Sequence, residues 1–388
     1  MTIKLALRNL LGAGLRTWLN VTVLSFSFVV ILSLKGIIDG WHKQAKNDMI
    51  SWEIGGGQLW QSNYDPDDPF TLTDSHGIIP AGLAGHVSSG DMVPILVTQG
   101  TLYPAGRMQS VLVRGIPPGQ KILALPTDSL DAGNEINAII GSTFAQSTRL
   151  SKGDQVILRW RDRNGAFDAA EITIADIFRT NVPSVDVGQI WIPLEQLRKM
   201  MLLPGEATLL VCRNGIRPPE KVQGWRFMSQ DKLLEDIEKI IKAKTLSSGV
   251  MWAILLMLAM LAIFDTQVLS IFRRQKEIGT YVALGMTRKQ VVALFTAEGA
   301  MNAVLAALLG AVYGVPLLAL LAVKGIALPM KSSDYGLAMA DRLFPEYSLG
   351  LVVSTILIVF LTTTLVSYWP SRRISRMKPT DALRGKIQ

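Results

Sequence analysis

The sequence predicts an α-helical membrane domain of four transmembrane helices in a one-plus-three arrangement, with a large α+β extracytoplasmic domain between the first and second spans. Three observations carry that prediction. Of 388 residues, 49% are hydrophobic, only 18% are charged, and mean hydropathy is +0.31, whereas a soluble domain carries about 25% charge. Four apolar runs each reach the roughly 20 residues that a helix needs to cross the hydrocarbon core. The basic charge is gathered beside those runs.

Residues 1–17 read as a cytoplasmic amphipathic helix with Lys4, Arg8 and Arg16 and no acid. The first span, 18–38, runs from Trp18 to Ile38 with Lys35 near its far end. No small-residue cleavage site follows it, so it reads as a retained span and not as a signal peptide. The second span, 249–272, is interrupted only by Asp265 and also holds Gln267. The third, 291–323, contains the single charge Glu298, and the fourth, 350–369, contains none.

Orientation follows from the positive-inside rule. Residues 1–17, the link 273–290 and the tail 370–388 carry +3, +4 and +5. Together they hold +12 in a chain of net +8, so the remainder carries −4. The basic excess is therefore juxtamembrane, which excludes a nucleic-acid footprint. Both termini and the link are expected in the cytoplasm, and 39–248 and the short loop 324–349 outside.

The 39–248 segment shows short strands, turns and a few helices. Val93–Thr98, Ser110–Arg114, Gln155–Arg161, Glu171–Phe178 and Ala207–Cys212 read as strands, and Asp162-Arg163-Asn164-Gly165 as a hairpin turn. Ser142–Arg149 and Leu194–Met201 fit helices. Leu233, Leu234, Ile237, Ile240 and Ile241 form one apolar face of a stalk helix over 231–244. That helix either carries motion to the second span or packs as an ordinary helix on a Ser247-Ser248-Gly249 hinge.

Little in this segment suggests chemistry. Tyr64-Asp65-Pro66-Asp67-Asp68-Pro69 offers three carboxylates, but its prolines and the lack of EF-hand spacing favour a solvated loop over a calcium site. His76 and His86 have no helix or cysteine partner that would make them ligands. Cys212, the one cysteine, excludes a disulfide framework and reads as a small buried hydrophobe. No catalytic residue and no metal site is expected.

The link 273–290 is the most informative stretch. A basic helix leaves the second span and stops at Gly285, a good helix terminus. Thr287-Arg288-Lys289-Gln290 is a capping-box pattern opening the next helix. The product is a helix–turn–helix elbow with a charged face, suited to anionic lipid or to protein. Its apolar Ile278, Val282 and Leu284 favour protein. In the spans, Asp265 is expected to hydrogen-bond to another helix, with proton or ion relay as the alternative, because an intramembrane carboxylate normally faces protein or water. Gln267 lies beside it, and Glu298 is expected at the interface. Gly310 and Gly314 form a GxxxG pattern for close helix approach.

Three separated stretches then resemble one family. These are Ala6-Leu7-Arg8-Asn9-Leu10-Leu11 with Leu15-Arg16-Thr17; Arg274-Gln275-Lys276-Glu277-Ile278-Gly279 through Ala283-Leu284-Gly285-Met286-Thr287-Arg288; and Pro370-Ser371-Arg372-Arg373 with Met377-Lys378-Pro379-Thr380-Asp381-Ala382-Leu383-Arg384. They resemble permease subunits of the FtsX/MacB/lipoprotein-release superfamily (LolC/LolE-like members included), the type VII or mechanotransmission ABC transporters. The resemblance implies a multi-pass protein of the bacterial inner membrane, a homo- or heterodimer of permeases, and a separate cytoplasmic ABC ATPase that binds ATP and magnesium. It also implies an adaptor or acceptor protein on the outer side. ATPase coupling would fall to Lys276, Glu277, Ile278, Gly279, Leu284, Gly285, Thr287, Arg288 and Lys289. Family members often carry Asn where this chain has Asp265. No P-loop is legible, since the one Gly-Lys pair, Gly385-Lys386, is followed by Ile387, so the chain itself is expected to bind no cofactor and not to be an enzyme. The implied work is extraction or export of an amphiphile, such as a lipoprotein or a macrolide-like compound. The alternative is a non-transporting signal transducer that activates a cell-wall hydrolase or partners a sensor.

Overall fold

The computed structural model describes residues 14–374 except 132–134, 217, 219–221, 236, 240–241, 244–248, 251–252, 255–256, 259, 262–263, 266–267, 270–272 and 328–341. Most of the leading helix 1–17, Gln267, much of the loop 324–349 and most of the tail 370–388 therefore lie outside the described residues. The chain divides into two compact units. One comprises Met1–His42, Ile241–Ala327 and Leu343–Gln388, and the other Lys43–Ile240 and Leu328–Arg342.

The first unit is helical. Helix α1 is Leu15–Met49, well past the 18–38 apolar run, and a five-residue π-turn, Ile50–Ile54, follows it. Among the described residues three helical segments are long and apolar enough to cross a membrane: Thr17–Ile54, Arg288–Lys324 and Leu349–Arg372. The expected second span is described only in part. Its described positions, Asp265 among them, are helical.

Small residues decide where these helices meet. A Cβ on Gly314 would stand 2.7 Å from Val29 Cγ2, and one on Gly310 would stand 3.2 Å from Ser25 Oγ. Both glycines thus face α1, where Val21, Leu24, Phe28, Val29 and Leu32 meet Ala303 and Ala306. A second pair on α1, Gly36 and Gly40, receives Tyr347 and the backbone at Phe344. The Glu346 N–H donates to Gly36 O over 2.9 Å.

The second unit is the α+β domain. In chain order it has β1 (Gly57–Gln61), β2 (Gly77–Ile78), α2 (Ala81–Ser88), β3 (Met92–Leu102), β4 (Gln109–Ile116), β5 (Ile136–Gly141), α3 (Ser142–Thr148), β6 (Gln155–Arg161) and β7 (Phe167–Phe178). Then come α4 (Pro183–Asp186), β8 (Gln189–Pro193), α5 (Leu194–Met201), β9 (Glu206–Ala207), β10 (Leu209–Cys212), β11 (Trp225–Ser229) and α6 (Gln230–Leu233). Strands β3-β4-β8-β5-β7-β6 run side by side, and β6 pairs back onto β3 from Gly100↔Trp160 to Leu102↔Leu158, closing a six-stranded barrel. Gly100 permits the closure: a Cβ there would lie 2.7 Å from Val113 Cγ2 and 3.1 Å from Leu158 Cδ1.

The barrel interior holds Val113, Ile140, Leu158, Ile172 and Ile190, with Phe144 and Leu197 from α3 and α5 in the same cluster. Its β3-β4-β8-β5 flank, together with β1 and β10, carries a second core of Trp60, Tyr64, Ile95, Ile116, Ile139, Trp191 and Val211. A third cluster encloses Leu59, Leu83 and Cys212.

The stalk departs from a single even helix. Helix α6 ends at Leu233 with the fully buried Leu234 as its C-cap, and helical residues resume at 235. His76 donates from or accepts at Nδ1 toward Glu206 Oε2 over 2.6 Å and meets Thr73 O with Nε2 over 3.0 Å. Asp65, Asp67 and Asp68 are exposed, while Tyr64 beside them is buried.

Two outcomes follow. Gly314→Ala should cost about 1–3 kcal/mol by overpacking, and Val29→Ala should restore most of that loss in the double variant, as read by thermal unfolding in detergent. Burial pushes the Cys212 thiol up to about 11 from 9.0. The folded chain then keeps that proton longer than the unfolded chain, so this contribution is complete below pH 9 and lost as pH rises toward 11. Maleimide at pH 7.5 should leave Cys212 unmodified until denaturant is added.

Candidate functional site

Helix α7 (Gln275–Ala283) and helix α8 (Arg288–Lys324) form the expected elbow, and each of its three joints has an identifiable fastening. The first is ionic. Arg274, the N-cap of α7, donates from Nε to Glu277 Oε2 over 2.6 Å and from Nη1 to Glu298 Oε2 over 2.8 Å. Its guanidinium lies 5.1 Å from the Phe295 ring centroid. Burial lowers the Arg274 pKa, but Glu298 and Glu277 outweigh it and hold the group above its ordinary value.

The turn is the second joint. Gly285 stands at φ +97°, a conformation that suits a residue without a Cβ. Its N–H donates to Val282 O, and the Met286 N–H donates to Tyr281 O, each over 3.0 Å. This is the double bond of a Schellman motif, which satisfies the last carbonyls of α7. The third joint opens α8. Thr287 Oγ1 accepts from the Gln290 N–H over 3.4 Å, and Gln290 Oε1 accepts from the Thr287 N–H over 2.8 Å. The capping box predicted at Thr287–Gln290 is present.

Apolar contacts lock the fold of the elbow. Tyr281, Val282 and Met286 pack against Val291 and Phe295. What remains outside is a defined face: Glu277, Thr280, Leu284, Thr287, Arg288 and Lys289 are exposed, Leu284 by 78%. Gly279 is buried, and the side chains of Lys276 and Ile278 lie outside the described ones. A rigid, double-capped turn presenting one acid, two bases and one leucine can dock a protein of complementary charge. It carries no arrangement for bond-breaking chemistry.

Glu298 is buried, 6% exposed, and paired with Arg274. Val282 is partly buried and packs within the elbow. The Arg274–Phe295–Glu298 cluster was not legible in sequence, since its ends lie 24 residues apart; the single signal was one acid in an otherwise uncharged apolar run. Asp265 is helical and exposed.

Residues 249–379 match the FtsX-like permease C-terminal family, a stretch that contains the elbow and α8. The macrolide export ATP-binding/permease protein MacB of Wolinella succinogenes is 26% identical over 176 residues, 45% of this chain and 24% of that protein. An uncharacterised ABC transporter permease of Methanocaldococcus jannaschii is 26% identical over 164 residues, 42% of this chain and 39% of that one. The lipoprotein-releasing system transmembrane protein LolC of Xylella fastidiosa is 22% identical over 323 residues, covering 73% of this chain and 75% of LolC. The chain thus spans about a quarter of the Wolinella protein and three quarters of LolC.

Arg274→Gln removes the guanidinium that pairs with the buried Glu298. Breaking a buried pair costs about 3–5 kcal/mol, and because Arg274 keeps 22% of its side chain in water the lower end applies. Hydrogen exchange of the α7 amides should accelerate in this variant and recover in part with the charge-swapped pair Arg274→Glu, Glu298→Arg. Unchanged exchange in Arg274→Gln would show that the ion pair does not hold the elbow.

Proposed function

We propose that this chain, which belongs to the FtsX/MacB/LolC permease superfamily, is the permease subunit of an ABC transporter and couples ATP hydrolysis by a separate cytoplasmic ATPase to movement of its outer domain. The observation that carries the reading is the elbow. Its turn is fastened by caps, ion pair and apolar contacts, yet its charged face and Leu284 remain exposed. Those are the properties of a docking knob, not of a lipid-anchoring tail.

The mechanical argument begins at that knob. A force on Thr287 acts on the first turn of α8, which is 37 residues long, about 55 Å of continuous helix. The turns that precede Pro316, the helix's interior proline, can move as a body. Glu298 ties its third turn back to Arg274, so α7 and α8 shift together. Helix α1 continues unbroken to Met49, which favours transmission beyond the apolar run.

In this reading the protein sits in the bacterial inner membrane, multi-pass, with both termini and the elbow in the cytoplasm, and pairs with a second permease. The work is extraction or export of an amphiphile. The names of two relatives support it: macrolide export with an ATP-binding part for MacB, and lipoprotein release for LolC. The LolC alignment also covers most of both chains, which favours a permease whose ATPase is a separate polypeptide.

Orientation is testable with single cysteines at exposed Ser89 and Lys289 in a Cys212→Ala background. An impermeant maleimide added to intact spheroplasts should label position 89 and spare 289; labelling of both from the same side contradicts the topology. Docking is testable with Glu277→Lys. Membrane insertion should be normal, while co-purification of the ATPase and its stimulated turnover should fall at least tenfold. Turnover equal to wild type would remove the elbow from the coupling path.

A further inference from the structure

The flank of the barrel opposite its interior carries a polar group that the rest of the fold does not account for. Parallel register sets Leu112 beside Gln189 and Arg114 beside Trp191 on β4 and β8. Arg114, Gln189 and Trp191 therefore point to the same side of the sheet, since alternate residues share a face. That side is a core, not a solvent surface: the three are 8%, 5% and 0% exposed.

Arg114 Nε, Gln189 Oε1 and Trp191 Nε1 are all buried without a hydrogen-bond partner among the described residues. The guanidinium lies 5.2 Å from the Trp191 ring centroid, which sets the cation over the indole. Glu53, Asp65 and Asp67 act on the buried Tyr64 alongside Arg114. Glu53 Oε2 accepts the Ser184 hydroxyl over 2.5 Å, and Asp65 Oδ1 accepts the Asp67 N–H over 3.0 Å. None of them pairs with Arg114 within ion-pair distance.

A buried guanidinium Nε–H without an acceptor is disfavoured, and an arginine fork is shaped for two oxygens of one planar or tetrahedral anion. We propose that Arg114, with the Trp191 indole N–H and the Gln189 amide, forms a binding site for an oxyanion, a carboxylate or phosphate group. The indole contributes a donor only, and the amide can turn its NH₂ toward the ligand. The aromatic walls lower the local dielectric, so each such bond gains strength. At the same end of these strands Gln99, the β-partner of Leu112, holds the 69–73 turn through Pro69 O over 3.4 Å. Phe70 in that turn and Val187, two residues before Gln189, are exposed. A ligand could thus be a free anion or the head of an amphiphile whose chain lies on those apolar side chains. The site does not depend on ATPase docking.

The test uses the full-length chain in neutral detergent at constant ionic strength. Thermal unfolding and calorimetric titration are followed with sodium phosphate, sodium acetate and dodecyl phosphate, with sodium chloride and choline chloride as controls. At least one oxyanion should raise the wild-type Tm saturably, and Arg114→Met should abolish that shift. In anion-free buffer Arg114→Met should be as stable as wild type or more so, because it removes an uncompensated buried charge. Arg114→Lys and Gln189→Leu should fold and weaken the titration at least tenfold, which keeps the test valid should Arg114→Met not fold. A response to inorganic phosphate or acetate identifies a free-anion site, and a response to dodecyl phosphate alone identifies an amphiphile head; either supports the proposal. Identical shifts in wild type and the Arg114 variants, or no saturable shift in wild type, would overturn it. So would an Arg114→Met chain less stable than wild type without anion, since Arg114 would then be satisfied by the protein and its water.

Discussion

A backbone that enters hydrocarbon has no water to bond to, so every N–H and C=O must find its partner inside the chain. Much of the first unit follows from that. Helices of 35, 37 and 26 residues supply the partners along their length. Their ends must then be finished by something else, because four donors and four acceptors are left at each terminus. The elbow is where this requirement is met most completely. Its last carbonyls are taken by the Gly285 and Met286 N–H groups, and its next helix is opened by the Thr287–Gln290 exchange. A turn so fastened is stiff, and stiffness is what a docking element needs.

The same requirement extends to side chains. Helix α9 (Leu349–Ile374) carries Thr355, Thr362, Thr363, Thr364 and Ser371, and each hydroxyl donates to the carbonyl four residues before it over 2.7–2.8 Å. Those hydroxyls are thereby internally satisfied and leave the helix surface apolar. Polar groups also pair across helices: Ser25 donates to the Tyr313 hydroxyl over 3.0 Å. Apolar attraction between helices is weak in a medium as apolar as they are. Contact therefore falls to the glycines at 36, 40, 310 and 314, where close approach adds dispersion contacts.

The sequence made some of this legible and hid the rest for physical reasons. Local signals were readable. Gln155–Arg161 and Leu194–Met201 stand in the structure with the bounds that periodicity predicts, and the Gly285 stop and Thr287 start follow from backbone chemistry within four residues. Long-range closure was not readable. Barrel formation depends on β3 being shared between β4 and β6 through Gly100, and nothing local distinguishes that glycine from a bulge. Strands β1, β5 and β11 were not read from the sequence. The Gly36–Gly40 pair carried a readable GxxxG pattern that Lys35 before it and Asp39 within it obscured.

Two arginines show how one rule produces two outcomes. Arg274 and Arg114 both lie over an aromatic ring, Phe295 and Trp191. Arg274 meets two carboxylates, and its cost of burial becomes the fastening of the elbow. Arg114 meets none among the described residues, although Glu53, Asp65 and Asp67 are close enough to act on its neighbour Tyr64. Had the second core needed only volume at this position, a leucine or methionine would fill it without desolvating a charge. Retaining arginine there is intelligible when the missing acceptor arrives from outside the chain.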